Sequence, residues 1–399
     1  MKKWIILAIT VVLALALLVT GCTGKSDDAT TTTNDGTTAT GDPIKVGANF
    51  ELSGPVATYG QDSLRGFKMA IDEVNAAGGV LGGRKIEIIE KDNKSDPAEA
   101  TAAAEALMTS SNVVVAVGPA TSGNFRATIP VAMENQVPII SSSATADDDI
   151  TVDAQGNVRE FVFRTCFTDS FQGQIMANFA VDALKAKTAV IYADNASDYA
   201  KGLAANFRKG FEAKGGKIID EQAYVAGDKD FNAVLTSLKG KDFDVIFVPG
   251  YYQEAGLIIK QARELGITAP ILGADGFDSP ELATIAGASN VNDVFFSNHY
   301  SELDESPETQ AFIAMFKDKN NGESPNAFIA MGYDLGKYVV DAITRAGSDN
   351  PVEIAKALAS TTKFTGVTGS FSVGEDHNVV KAAVVIELQN GEQVSAQRF

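Results

Sequence analysis

From residue 44 to residue 273 short apolar runs alternate with helical stripes, and that alternation leaves few folds open. Residues 44–48 read as a strand, followed by a helix with Leu64, Phe67, Ile71 and Val74 on one stripe. Residues 85–90 alternate as a strand. Residues 97–108 form an Ala-rich helix with Asp96 as its N-cap. Residues 113–117 are a continuous apolar run, as expected for a strand buried on both faces. A helix over 124–134 and a strand over 137–141 complete this first series. In the second, strands over 188–192, Lys217–Tyr224, 244–249 and Ile271–Gly273 alternate with helices over 199–214, 231–238 and 252–265. Two βαβ series, separated near Arg164 to Phe171, predict an α/β protein of two doubly wound, Rossmann-like lobes.

Open sheets of this kind bind ligands outside the carboxyl ends of their strands. The loops there hold hydroxyls (Ser122, Ser141, Ser142, Ser143, Thr145), aromatics (Tyr59, Tyr199, Tyr251, Tyr252) and one carboxylate, Asp275. Short hydroxyls and backbone N–H groups at a helix N-terminus suit an anion such as a carboxylate. An aspartate facing aromatic rings suits an ammonium group. Together they describe a site for a zwitterion. The same loops are poor in reactive groups. The chain has two His, His299 and His377, and no nucleophile elbow, phosphate loop or dinucleotide fingerprint. No His, Cys or carboxylate cluster has metal-ligand spacing, so neither cofactor nor metal is expected, and the chain does not read as an enzyme. His299 and His377 read as surface or hinge residues, Tyr252 as a surface residue at a helix start, and Cys166 as a small buried apolar residue.

The first residues follow a different rule. Lys2 and Lys3 precede an apolar stretch from Trp4 to Val19 whose only polar side chain is Thr10. That pattern suits an export signal over residues 1–21. Residues 22–42 lack aromatic and large aliphatic side chains and are rich in Thr, the composition of a flexible linker that cannot offset its own ordering entropy. The net charge of −18 argues against nucleic acid or anionic lipid as a partner.

Two resemblances become specific here. Val19-Thr20-Gly21-Cys22 resembles the lipobox of bacterial lipoproteins, which implies acylation of Cys22; the alternative is a plain signal peptide with a chance Cys. Leu52-Ser53-Gly54-Pro55, Asp92-Asn93-Lys94-Ser95-Asp96-Pro97, Ser141-Ser142-Ser143-Ala144-Thr145, Phe163-Arg164-Thr165, Tyr199-Ala200-Lys201-Gly202 and Gly273-Ala274-Asp275-Gly276 stand in the order found in the leucine/isoleucine/valine-binding proteins of ABC transporters. The body of the chain is similar to that family from about residue 44 to about residue 390.

The resemblance implies a type I periplasmic-binding-protein fold with a three-strand hinge crossing near Phe167, His299 and Thr368. The first lobe would be 43–167 with 299–368, and the second 168–298 with 369–399. It also implies roles. Ser122 would bind the ligand carboxylate, and Ser143 and Thr145 the carboxylate and ammonium. Asp275 would pair with the ammonium from the opposite lobe, while Tyr59, Tyr199, Tyr251 and Phe328 would wall the side-chain pocket. Partners implied are an amino acid, an ABC permease and its ATPase, and the membrane through the Cys22 lipid, with no nucleic acid and a monomeric chain. This sequence departs from the family where Asp275 replaces the frequent Glu and where Ala120 replaces a larger residue, which puts leucine specificity in doubt. A ligand-sensing ectodomain and a binder of an amide or urea-type solute are the alternatives. The anchor is testable first: Cys22→Ser should abolish membrane partitioning or leave the precursor uncleaved, and a variant still processed and membrane-bound would exclude lipidation there.

Overall fold

A computed structural model describes residues 41–147 and 149–399; the export segment, Cys22 and the linker up to residue 40 lie outside the described residues. Five parallel strands form the first sheet in the order β2-β1-β3-β4-β5. They are β1 (Ile44–Phe50), β2 (Ile86–Asp92), β3 (Val115–Val117), β4 (Ile139–Ser141) and β5 (Val162–Arg164). The second sheet has β6 (Thr188–Asp194), β7 (Lys217–Tyr224), β8 (Val245–Phe247), β9 (Ile271–Gly273) and β10 (Val294–Asn298) in the order β7-β6-β8-β9-β10, all parallel. Both sheets thus wind outward in the same sequence from a switch point beside their first strand. The described chain adopts the expected type I fold. Every residue of β3, β4, β5, β8, β9 and β10 is buried, as expected for strands covered on both faces.

Later strands complete the architecture. β11 (Phe364–Gly366), β12 (Gly369–Val373) and β13 (Val379–Val380) form a small antiparallel sheet, and β14 (Val384–Gln389) and β15 (Glu392–Arg398) extend the second sheet antiparallel to β10. The sequence places the last crossing near Thr368. Instead, His377 stacks on Phe163 with ring centroids 4.2 Å apart, and Arg164 Nε donates to Asn378 Oδ1 at 2.7 Å, so residues 369–380 stay against the first sheet. The second sheet resumes only at Val384.

Local chemistry sets the element ends. Asp96 accepts from the amides of Ala98 and Glu99 at 2.8 and 3.0 Å, and Pro97 follows at the first helical position, as its sequence requires. That helix stops being regular at Glu105 and continues as a π turn over Ala106–Ser110, so β3 begins two residues later than its apolar run. No helix among the described residues is long and apolar enough to cross a membrane.

The tightest packing in the first lobe is between the helices Ala57–Ala76 and Ala327–Ala346. A Cβ on Gly66 would lie 1.9 Å from the Ile329 carbonyl oxygen, and one on Gly332 would lie 2.0 Å from that of Ser63. Backbone touches backbone there, so neither neighbour can give. In an open helix Gly→Ala gains about 1 kcal/mol, but Gly332→Ala must separate the two helices. Overpacking of this kind costs about 1–3 kcal/mol, so thermal unfolding of Gly332→Ala should shift down, not up.

Candidate ligand-binding site

The carboxyl ends of β1, β3 and β4 face those of β6, β8 and β9 across the cleft. Between them lies a small, nearly filled cavity with about 10 Å³ of free space. Tyr59, Ser143, Tyr199, Tyr251, Asp275 and Phe328 line it together with Ala120, Thr121 and Gly276. Two larger hollows flank it, around Asp62 and Asp278 and around Arg126 and Asp147, but neither brings the Ser143 loop and Asp275 together. Ser122 and Thr145, the other two expected site residues, are buried but do not line the cavity. Ser122 Oγ accepts from the Ala146 amide at 3.2 Å, and Ser143 Oγ donates to the Ala120 carbonyl at 2.9 Å. Both bonds tie the loop after β4 to the start of the helix Ser122–Asn135.

The aromatic wall is continuous. Tyr59 stacks on Phe328 with centroids 4.4 Å apart and meets Tyr251 edge-on at 5.6 Å, and Tyr251 stacks on Tyr199 at 5.3 Å. It also joins the lobes. Tyr59 donates its hydroxyl to the Gly276 carbonyl at 2.5 Å and accepts the Tyr252 amide at 3.2 Å. Tyr252, expected at the surface, is buried: it accepts from Thr58 Oγ1 at 3.0 Å and donates to the Pro55 carbonyl at 3.1 Å. A side chain at a helix start can face solvent or the neighbouring lobe, and here the second lobe's helix points its first residue across the cleft. Arg126 and Asp198 add an ion pair between the lobes.

Asp275 is held by polar neighbours. Its Oδ1 accepts from Tyr199 Oη at 2.7 Å and from Gln172 Nε2 at 3.1 Å. Its Oδ2 faces His299 Nε2 at 3.5 Å. His299 lies at the second crossing, stacked on Phe167 of the first with centroids 3.6 Å apart. Burial lowers its pKa to about 4, so the ring is neutral near pH 7. Among the described residues no Lys or Arg pairs with Asp275, and no group of His, Cys or carboxylates could hold a metal ion. Cys166 is fully buried, and burial pushes its thiol up to about 12.

Three polar residues escaped the sequence reading. Glu51, the first residue after β1, is fully buried and accepts from the amides of Ala120 and Thr121, from Thr121 Oγ1 and from Asn124 Nδ2, all within 3.1 Å. Its carboxylate sits against the turn just before the helix Ser122–Asn135. Its place directly after a strand was the available signal. Asp169 and Gln172, one helical turn apart behind Asp275, are the others; an acid opening a helix reads first as a favourable charge on the helix dipole.

Residues 43–393 match the family model described as periplasmic binding protein. The chain belongs to that family. A leucine-, isoleucine-, valine-, threonine- and alanine-binding protein of Pseudomonas aeruginosa is 30% identical over 84% of this chain and 86% of its own. The fold superposes on the branched-chain amino acid transporter substrate-binding protein LivJ of Streptococcus pneumoniae, solved with isoleucine, with TM-score 0.84 and 44% identity over 90% of this chain and 99% of the other. A solute-binding protein of R. palustris solved with benzoate has TM-score 0.78 and 26% identity, covering 88% and 95%.

Tyr59→Phe removes one hydroxyl and strands two buried partners, the Gly276 carbonyl and the Tyr252 amide. Leaving such groups unpaired costs about 1–3 kcal/mol. The variant should therefore close less readily, with roughly tenfold weaker binding by calorimetry of any ligand held in the shut cleft.

Proposed function

We propose that this chain is the extracytoplasmic substrate-binding component of an ABC importer, that it captures a branched-chain or other hydrophobic α-amino acid between its lobes, and that it hands the ligand to a permease. The observation behind this reading is the carboxylate of Asp275, buried on one lobe without a Lys or Arg partner, across a small aromatic-walled cavity from the Ser143 loop of the other. A buried carboxylate needs a compensating charge, and a ligand ammonium supplies one. Ser122, Ser143 and Thr145 would hold the carboxylate end. Tyr59, Tyr251 and Phe328 would wall the ligand's side chain. The Pseudomonas aeruginosa relative is named for the amino acids it binds, and the Streptococcus pneumoniae one was solved with isoleucine. Export and anchoring through an acylated Cys22 would keep the protein at the outer face of the membrane or in the periplasm, as a monomer, beside the permease and its ATPase.

A zwitterion touching both lobes gains its contacts only when the cleft is shut, so it favours the closed form by its differential affinity. Saturating ligand should make the protein more compact in solution scattering. Asp275→Ala should weaken amino-acid binding by well over tenfold in calorimetry, because losing one member of a buried charge pair costs about 2–5 kcal/mol. A loss smaller than tenfold would assign the ammonium to another group.

A further inference from the structure

Two buried acids stand at the ammonium end of the cleft. Asp169 opens the helix Asp169–Asp182 and is fully buried. Gln172, one turn later, donates from Nε2 to Asp169 Oδ1 and to Asp275 Oδ1, each at 3.1 Å. An amide nitrogen carries two N–H groups, so each acid receives one. The other end of the amide is also taken: Gln172 Oε1 accepts from Ser297 Oγ at 3.0 Å and from the Asp275 amide at 3.4 Å. Gln172 therefore cannot turn over, and it holds the two carboxyls in register.

Their remaining oxygens have only weak protein partners, the Thr145 hydroxyl beside Asp169 and His299 Nε2 at 3.5 Å from Asp275 Oδ2. Asp169 Oδ2 and Thr145 Oγ1 are buried without a well-formed hydrogen bond, and both ring nitrogens of His299 beside Asp275 Oδ2 lack one too. The Asp169 amide donates to the Thr145 carbonyl at 2.8 Å, which ties this acid to an expected ligand-binding residue of the other lobe. Gly202, one turn along the helix from Tyr199, makes the room: a Cβ there would come 3.3 Å from Asp169 Oδ2. Among the described residues neither acid pairs with Lys or Arg. Burial, with the Asp275 charge as a smaller contribution, pushes the Asp169 carboxyl well up. A ligand ammonium near the pair lets both acids carry their charge, whereas a ligand with only a carboxylate meets the Asp275 charge in a medium that screens it weakly.

Building on the amino-acid reading above, we propose that Asp169 is the second acid of the ammonium subsite, a positioning residue that holds Asp275 through Gln172 and makes the site prefer ligands with a primary ammonium over carboxylates that lack one. The choice is a real one for this fold, because the R. palustris relative was solved with benzoate, an acid without an amino group.

Asp169→Asn keeps the shape of the carboxyl and removes its charge. Calorimetry would compare L-leucine with 4-methylpentanoate, the same skeleton without the amino group. Leucine should bind about tenfold or more weakly, the scale of a lost bond to a charged group, while 4-methylpentanoate holds its affinity or gains. A merely structural defect lowers both by one factor. Equal losses, unchanged leucine affinity, or no measurable 4-methylpentanoate binding by the variant overturn the proposal. Should Asp169→Asn fail to fold, Gly202→Ala decides, since it adds a good helix former and crowds only Asp169 Oδ2: leucine affinity should fall and 4-methylpentanoate affinity should not. Wild-type protein that binds no amino acid defeats the earlier reading itself, and the wild-type titration alone reveals that.

Discussion

The site is organised by a charge that the protein buries without neutralising. Asp275 receives hydrogen bonds from Tyr199 and Gln172, which are dipoles, and faces a neutral His299. Dipoles orient a carboxylate and soften its desolvation, but they do not replace a counter-ion. Much of the surrounding structure follows from this restraint. Gln172 is locked from both ends, Tyr199 stands where its hydroxyl reaches both Asp275 and the Gly276 amide, and Phe167 stacks on His299 beside them. The fold supplies the place, because two sheets wound in the same order present their carboxyl ends to each other.

Much of this was legible in the sequence, and the reasons are local. Lys217–Tyr224 and Ile271–Gly273 coincide with their strands because patterning and flanking turns agree there. Asp96 was readable because a cap followed by Pro has one economical structure. The family resemblance then placed six residues on the wall of a single cavity, which no periodicity argument could have done.

What stayed hidden depended on contacts between distant segments. The path of residues 369–380 is decided by Phe163–His377 and Arg164–Asn378, neither of which has a local signature. Tyr252 was misread because its helix alone does not say which lobe lies opposite. Glu51, Asp169 and Gln172 looked like ordinary polar residues at element ends, and only the meeting of their partners makes them exceptional. The crowding of Gly66 and Gly332 is of the same kind: each is a plain glycine until the other helix arrives.

Glu51 has one more consequence. By occupying the amides of Ala120 and Thr121 it cancels part of the positive end of the helix Ser122–Asn135. A bare anion drifting into the open cleft therefore finds little field to hold it on the first lobe, and on the second it finds only negative charge. Neither half of the site is a strong trap alone. On the amino-acid reading proposed above, the two halves would act as a coincidence detector: a molecule would be retained when its anionic and cationic ends arrive together at the right separation, and small ions offering one end would pass through without shutting the lobes.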